Sequence, residues 1–561
     1  MAQRITGRLA AACGAIATLV VESEWMAVAQ DQVGQEAPPS PALHYYVPPP
    51  SKPDRQDVEV DLCVYGGTAA GVMAAVQATR DGWTVVMVAP DAHLGGMSSS
   101  GLSYTDTGNR LCIGGMALEF YRRVGTKYGI NQPVWDFEPR IAEQVFEEMA
   151  AEARVPIYYR HFVKQVSKRN GRIESLTTER GLTVKSRLFL DATYEGDLMA
   201  KAGVAYTVGR ESSQTYGETF NGVQFRDKHQ FEFPVSPFVT PNVPGSGLLP
   251  GLQPGPIARN GSGDRSVQAY NFRMTLTRDT ANRVPFPKPN GYDASDYELL
   301  ARYLEAGWTE PFKLYNEIRG GKADFNNYGA VSTDFVGMNH AYPDADYPAR
   351  ERIYQAHVRY QQGLMWYLTH EARVPEAVRT RLSQWGLCRD EFPDTSGWPH
   401  QLYVREARRM VADYVMIEAN CRGKRVAPDS VGLGSYALDS HNCRRFSQDG
   451  RVWNEGDVQV FGVTPYPISY RSIVPRRKDC SNLFVPVCLS ASHIAYGSIR
   501  MEPVYMILGQ AAGVAASDAL LNEKAVQDVS MEYLQTRLRQ LGQILTPPQT
   551  APAVNGSNDF G

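Results

Sequence analysis

Apolar residues run without interruption over 62–65, the chain turns at Gly66 and Gly67, and positions 69–79 are almost all small or apolar. Gly82 closes that stretch, and 84–88 is a second run of β-branched and apolar residues. Short continuous apolar runs belong to strands buried on both faces, so 61–90 predicts strand, tight turn, helix and strand. In this βαβ layout a pyrophosphate rests on the free N–H groups and the positive end of the helix. The spacing glycine, any, glycine, any, any, glycine falls on Gly66, Thr68 and Gly71, with threonine at the middle position, where its hydroxyl could meet a phosphate. Ala89 stands where an acid usually holds the ribose. Either Asp91, two residues on, or backbone groups take that role.

Helical periodicity covers 115–124 and 141–153. A β-meander follows over 156–193, with strands at 157–163, 172–178 and 182–184 and turns at Asn170-Gly171 and Arg180-Gly181. It ends in the apolar run 188–190, then Asp191, Ala192 and Thr193, a further place for a nucleotide at the carboxyl end of a sheet. Periodicity is poor over 206–400, which is rich in aromatics, Pro and Asn and reads as a second, capping domain. Within it 268–273 alternates like a strand, and 324–334 is a polar loop suited to a substrate cavity. The stretch 401–416 predicts a strand leading into a helix; its Arg405, Arg408 and Arg409 suit either an anionic substrate or surface ion pairs. Finally 483–487 predicts a strand and 489–496 a loop. The helix after Pro503 is studded with Gly509, Ala511, Ala512, Gly513, Ala515 and Ala516, which allow close backbone packing.

The fold class expected is α/β, a Rossmann-like domain with a β-meander and an inserted α+β cap. The parts are an export signal (1–29), a Pro-rich linker (30–54), the dinucleotide domain (55–205), the cap (206–400), the return to the first domain (401–545) and a disordered tail (546–561). The signal rests on Arg4 and Arg8, the apolar stretch 9–21 and Ala27-Val28-Ala29 as cleavage site, and it predicts a periplasmic or secreted protein. A net charge of -3 excludes a basic nucleic-acid footprint. No run reaches the length of apolar sequence that a bilayer span requires, so no transmembrane anchor is expected. The cysteines show no CxxC pair or zinc spacing, and no metal site is expected; one disulfide among Cys421, Cys443 and Cys480 is left open.

GGTAAG with HLGGM, then FLDATYEGDLMAKAGVAYTVGRE, LYVREARRMVADYVM and PVCLSASHIAYGSIRMEPVYMILGQAAGVAA together resemble the FAD-dependent oxidoreductase family often labelled xanthan lyase-related, within the glutathione-reductase-like flavoproteins. The resemblance runs from about Val58 to Leu520. It implies FAD as cofactor. Gly66, Gly67, Thr68, Ala69, Ala70 and Gly71 would hold the pyrophosphate, and Gly95, Gly96 and Met97 would line the ribityl and flavin side. Val163 would meet adenine through its backbone, and Asp191, Ala192 and Thr193 would close the adenine side. The helix opened by Glu502 and Pro503 would aim its dipole at the flavin, where negative charge develops on reduction.

A flavin exchanges hydride or electrons, and the protein supplies orientation and a proton partner. His493 and Tyr496, just before the flavin-facing helix, are the first candidates for proton transfer. Arg500, paired with Glu502 or acting on substrate, and Arg471 join them. Tyr470 and Arg405 are candidate substrate contacts, His441 is a more distant one, and His93 is a conceivable attachment point for covalent flavin. The function expected is an exported oxidoreductase acting on a small polar, carbohydrate-like molecule, with a separate electron acceptor or donor. Two alternatives are a reductase of the fumarate-reductase type fed by another protein, and a redox-silent accessory protein that keeps the fold without FAD. No GxSxG, haem CxxCH or second dinucleotide fingerprint is present.

Overall fold

The computed structural model describes residues 43–51 and 55–548. The export signal and the tail beyond 548 lie outside the described residues. Strands β1 (Gln56–Tyr65), β2 (Val85–Ala89), β3 (Ile157–Tyr159), β4 (Val163–Arg169), β5 (Arg172–Thr178) and β6 (Leu182–Asp191) form the central sheet in the order β3-β2-β1-β6-β5-β4. β3, β2, β1 and β6 run parallel, and the short strand Leu483–Phe484 adds a further parallel partner to β6. The stretch 157–163 is thus two strands. β3 extends the parallel sheet, whereas β4 turns back as a hairpin with β5. Likewise 182–184 and 188–191 are one strand, because β1 pairs with β6 along its length.

Helix α1 (Ala69–Arg80) packs on this sheet, followed by α2 (Gly115–Lys127) and α3 (Pro139–Glu152). The cap holds a second, antiparallel sheet of β7 (Met274–Thr277), β8 (Arg283–Val284), β9 (Asn316–Ile318), β10 (Lys322–Phe325) and β11 (Gly386–Cys388), in the order β8-β11-β7-β10-β9. The long helix α4 (Tyr347–His370) belongs to the same half. The stretch 268–273 is buried but pairs in no ladder. Its backbone bonds go to Asn442 O, to Tyr403 N and to the Gln361 amide, and strand pairing starts only at Met274.

The stretch 401–416 holds no helix. Only Arg408–Met410 is regular, a strand paired with Tyr206–Val208. A helix would gather Arg405, Arg408 and Arg409 on one face. Here they are buried and reach different carboxylates. Arg405 pairs with Asp334 (2.9 Å), Arg408 with Asp197 (2.7 Å), and Arg409 with Glu211 and Glu406 (2.7 Å each). These are interior pairs, not surface ones, and Arg350 of α4 reinforces Asp197 at 2.6 Å, tying the cap to the dinucleotide half.

The chain returns through α5 (His493–Ile499), which starts inside the stretch expected as a loop, and α6 (Glu502–Leu521). By length and composition α6 could cross a membrane, contrary to the expectation that no run is apolar enough; 94% of that window is buried inside the protein, between α1, α2 and a C-terminal helix. A Cβ on Gly509 would lie 2.2 Å from Ala70 O, so α6 meets α1 backbone to backbone. Seven cysteines among the described residues, Cys421, Cys443 and Cys480 included, are free and buried, so the disulfide left open does not form. Glu138, Asp390 and Glu391 converge closely enough for a cation, and the Lys322 ammonium fills that place at 2.6, 2.8 and 2.6 Å.

Candidate active site

The glycine turn after β1 is built for close approach. A Cβ on Gly71 would lie 2.0 Å from Gly66 O, so only glycine lets the first turn of α1 fold back over the strand end. Thr68 is the N-cap of α1. Its Oγ1 donates to Ala192 O (2.7 Å) and accepts from Gly71 N–H (3.4 Å). The hydroxyl is therefore engaged inside the fold and is not a phosphate contact, which corrects the sequence reading. It also removes the argument that threonine here spoils the motif, since the side chain turns inward and closes the cradle between β1 and β6. The remaining amides of the first turn have no intrahelical acceptor, and Gly95 N–H donates to Gly67 O (2.8 Å), tying the two glycine loops together. Asp191 is spent on its own turn, accepting from Thr193 N–H, Thr193 Oγ1 and Met199 N–H. Burial pushes its carboxyl up to about 6. Val163 N–H donates to Tyr65 Oη (3.0 Å), and its carbonyl accepts from Tyr347 Oη (2.8 Å) while keeping a second lone pair open to an adenine amine.

A cavity opens at the carboxyl end of β2, lined by Pro90, Asp91, His93, Arg160, Phe162 and Arg180. This is where a dinucleotide places its ribose and adenine. Asp91 is present there in place of the missing acid, and burial raises its carboxyl to about 6. The opposite wall is the end of the expected linker. Leu43 and Tyr46 are buried; Tyr46 Oη donates to Glu179 (2.6 Å), its N–H to Glu351 (2.8 Å), and its ring meets Phe162 edge-on at 5.0 Å. Residues 43–47 therefore strap the cap to the dinucleotide half instead of linking freely. Tyr46→Ala is expected to speed flavin release about tenfold, a loss of about 1.4 kcal/mol, read as fluorescence regained after dilution; an unchanged rate would detach the strap from the cofactor site. His93 lies beside this cavity with both ring nitrogens on carboxylates, Glu143 (2.7 Å) and Asp394 (3.0 Å), and stacks on His400 at 3.8 Å. That arrangement leaves no nitrogen for a covalent bond to flavin.

Gly96 and Met97 open a single turn whose Ser98 Oγ donates to Glu502 (2.9 Å). Tyr194 Oη accepts from Met97 N–H (2.9 Å) and donates to Glu502 (2.7 Å). Glu502 thus closes the gap between the glycine loop and the first turn of α6, beside Pro503, and burial lifts its carboxyl to about 7. It does not pair with Arg500. Arg500 donates to Tyr403 Oη (2.8 Å) and Asp439 (2.9 Å), and its buried Nε–H has no partner among the described residues, nor has Ser103 Oγ. The unanswered Nε–H of Arg500, two residues before α6, fits a ligand rich in acceptors, as the carbonyl edge of a flavin is.

Beside Arg500 lies a polar cleft lined by Asp106, Arg273, Asp324, Tyr403, Tyr436, Asp439 and His441. Arg273 and Asp324 pair at 2.6 Å, and Asp324 also accepts from Ser103 and Tyr104 N–H. His441 Nδ1 meets Asp334 Oδ2 at 2.8 Å, and Nε2 lies 3.6 Å from Asp439 Oδ2. Arg405 stands behind this wall, holding Asp334 and stacking on Tyr403 at 4.6 Å.

Most of the expected catalytic set lies elsewhere. His493 is buried, its nitrogens on Glu406 (2.7 Å) and Ser440 Oγ (3.1 Å). Tyr496 Oη meets Tyr505 Oη (2.8 Å) and Val487 O. Both are fully satisfied in the interior and neither lines the cleft. Arg471 is half exposed on Asp429 (3.0 Å), and Tyr470 donates to Val526 O (2.6 Å); neither lines the cleft. The loop 324–334, expected to suit a substrate cavity, supplies Asp324, Asn326 and Asn327 to the cleft, whereas Arg273, Tyr403, Tyr436 and Asp439 were missed as site residues. For these the one local signal was Leu438-Asp439-Ser440-His441, where Asp439 and His441 bracket a serine.

Among solved structures, L-proline dehydrogenase from P. horikoshii is 16% identical over 28% of this chain and 59% of its own, with a TM-score of 0.23. L-amino acid deaminase from Proteus vulgaris is 18% identical over 28% and 57%, with a TM-score of 0.20. THI4 from Thermovibrio ammonificans is 18% identical over 27% and 66%, with a TM-score of 0.21. The chain thus spans less than two thirds of each of these. No curated protein matches the chain in sequence. The sequence profile described as FAD dependent oxidoreductase matches residues 61–538, nearly all of the described chain. With a glycine cradle at α1, a cavity at the end of β2 and an open arginine donor just before α6, the chain belongs to the FAD dependent oxidoreductase family.

Proposed function

We propose that this FAD-dependent oxidoreductase oxidises a hydroxyl group of a small, neutral, polar molecule, with His441 as the base. When bound, FAD supplies the two-electron acceptor for the hydride that such a carbon loses. The observation that carries the reading is the contact between His441 Nδ1 and Asp334 Oδ2 at 2.8 Å. Burial would raise the Asp334 carboxyl, but the Arg405 charge and the hydrogen bond from His441 hold it below the usual carboxylate range. An ionised carboxylate only accepts hydrogen bonds, so Nδ1 carries the proton and neutral His441 keeps its lone pair on Nε2. Nε2 takes the substrate hydroxyl proton as the C–H bond breaks and the carbonyl forms. Asp439 and Asp334 then stabilise the imidazolium. Arg273 and Tyr403 orient the hydroxyls, and a separate acceptor removes the two electrons afterwards.

Burial and the Arg405 charge would depress the His441 pKa, but Asp334 and Asp439 outweigh them and hold it above the ordinary value. This favours a second reading, the same site run as a reductase with the imidazolium as acid. The pH profile separates the two. Oxidation needs neutral His441, so its rate should climb with pH through a value above about 6.5; reduction should fall over the same window. Stopped-flow bleaching of the flavin band between pH 5 and 9, with sugars, polyols, hydroxy acids and amines, is the test. Bleaching by amines alone, or a profile falling with pH, would overturn the oxidation of a hydroxyl.

The pattern of residues 1–29 supports export to the periplasm or medium. N-terminal sequencing of the mature protein should begin at Gln30; a chain beginning at Met1 or Ala2 would refute it.

A further inference from the structure

We propose that the substrate is the end of a neutral glycan, with the ring to be oxidised in the inner cleft and a second ring held at its mouth by Phe461, Leu314, Asn316, Asn327 and Gln459. The inference rests on the reading of this cleft as the substrate site. It begins with charge. Arg273 is paired with Asp324 (2.6 Å), Arg500 with Asp439 (2.9 Å) and Arg405 with Asp334 (2.9 Å), and His441 lies between two carboxylates. In the inner cleft an anionic group would have to break one of these pairs to gain a cation, and breaking a buried pair is costly; at the mouth Lys228 also lines the cleft, bonded to Gln459 Oε1 and 5.8 Å from the centre of the Phe461 ring. What the paired groups still offer is alternating donors and acceptors, Asp106 and Tyr436 among them (3.0 Å apart). Vicinal hydroxyls meet such an array well, because each can donate and accept at once.

The mouth differs in kind from the interior. Phe461 is 48% exposed and Leu314 37% exposed, both bordering the cleft. Large apolar side chains left exposed beside a polar opening mark a contact surface. The Tyr315 ring next to them is held in place by stacking on Phe325 at 4.9 Å, 5° from parallel. Between these apolar faces stand the amides of Asn316, Asn327 and Gln459. A pyranose ring presents a C–H face to an aromatic ring and its equatorial hydroxyls to flanking amides, and this mouth carries both.

The test is calorimetry on the FAD-loaded enzyme with methyl glucoside, methyl galactoside, cellobiose, maltose, cellotriose and a digalacturonate, with anaerobic flavin bleaching recorded in parallel. The expected result is at least tenfold tighter binding of a neutral disaccharide than of its methyl monoglycoside. Phe461→Ala should bring that ratio near one, and Phe461→Trp should keep it. Phe461 is at the surface, so neither substitution threatens folding. Equal affinity for one ring and two, an unchanged ratio in Phe461→Ala, tighter binding of the digalacturonate, or no glycoside binding would each overturn the proposal. Disaccharide-selective binding without bleaching by any sugar would uphold the mouth subsite and sink the oxidation reading instead.

Discussion

His441→Gln is expected to slow flavin reduction by substrate about 10²–10⁴-fold, the range for loss of a positioned general base, with FAD still bound. Glutamine keeps a polar group of similar reach at the position but cannot take up a proton. Asp334 would keep its Arg405 partner, so the carboxylate is not left alone in the interior. The visible spectrum should stay that of the parent, because His441 lines the substrate cleft and not the glycine cradle. The limb of the pH profile assigned to His441 should vanish with it. A limiting rate within a factor of about three of the parent's would remove His441 from the proton step, far short of what general-base loss produces.

Gly71→Ala should weaken FAD retention by about 100-fold or more, equivalent to about 2.8 kcal/mol at 1.4 kcal/mol per decade. The added Cβ would lie 2.0 Å from Gly66 O and 3.2 Å from Ala192 Cβ. Neither neighbour is a flexible side chain; one is the turn itself and the other is the strand end beside it. To accept the methyl group, the first turn of α1 must lift away from β1, and the amides that face a pyrophosphate go with it. Absorbance after gel filtration reads the flavin retained, and far-UV circular dichroism verifies the fold. A parent-like flavin content would remove this turn from the cofactor site.

The two experiments probe parts of the molecule that were unequally legible in the amino-acid sequence. The cradle is encoded within some thirty consecutive residues, as buried strand, glycine turn and small-residue helix, and β1, α1 and β2 stand close to where the pattern puts them. Thr68 shows the limit even there. Its place in the motif suggested a phosphate contact, but its rotamer and its bond to Ala192 O depend on a strand more than a hundred residues away. Of the cleft, the polar loop 324–334 was legible as a cavity wall, and little else was. His493 and Tyr496 were favoured because they precede α6 in sequence, yet α5 turns both inward. The residues that do line the cleft come from loops and short strands without periodicity, and nothing local marks Arg273 or Tyr436 as facing a cavity. The stretch 401–416 failed for a related reason. Its local propensity is helical, but three arginines committed to distant carboxylates, Asp334, Asp197 and Glu211, hold it extended, and that tertiary demand outweighs propensity.

The sequence by itself determined the α/β framework, the cofactor-binding turn and the apolar helix α6, because burial of parallel strands and close helix packing leave periodic, contiguous signatures. Only the tertiary structure decided which carboxylate pairs with which arginine, that residues 43–47 strap the cofactor half to the cap, and that His441 faces the cleft. Those outcomes depend on distances between groups far apart along the chain, and buried charges settle where partners, not neighbours in sequence, can meet them.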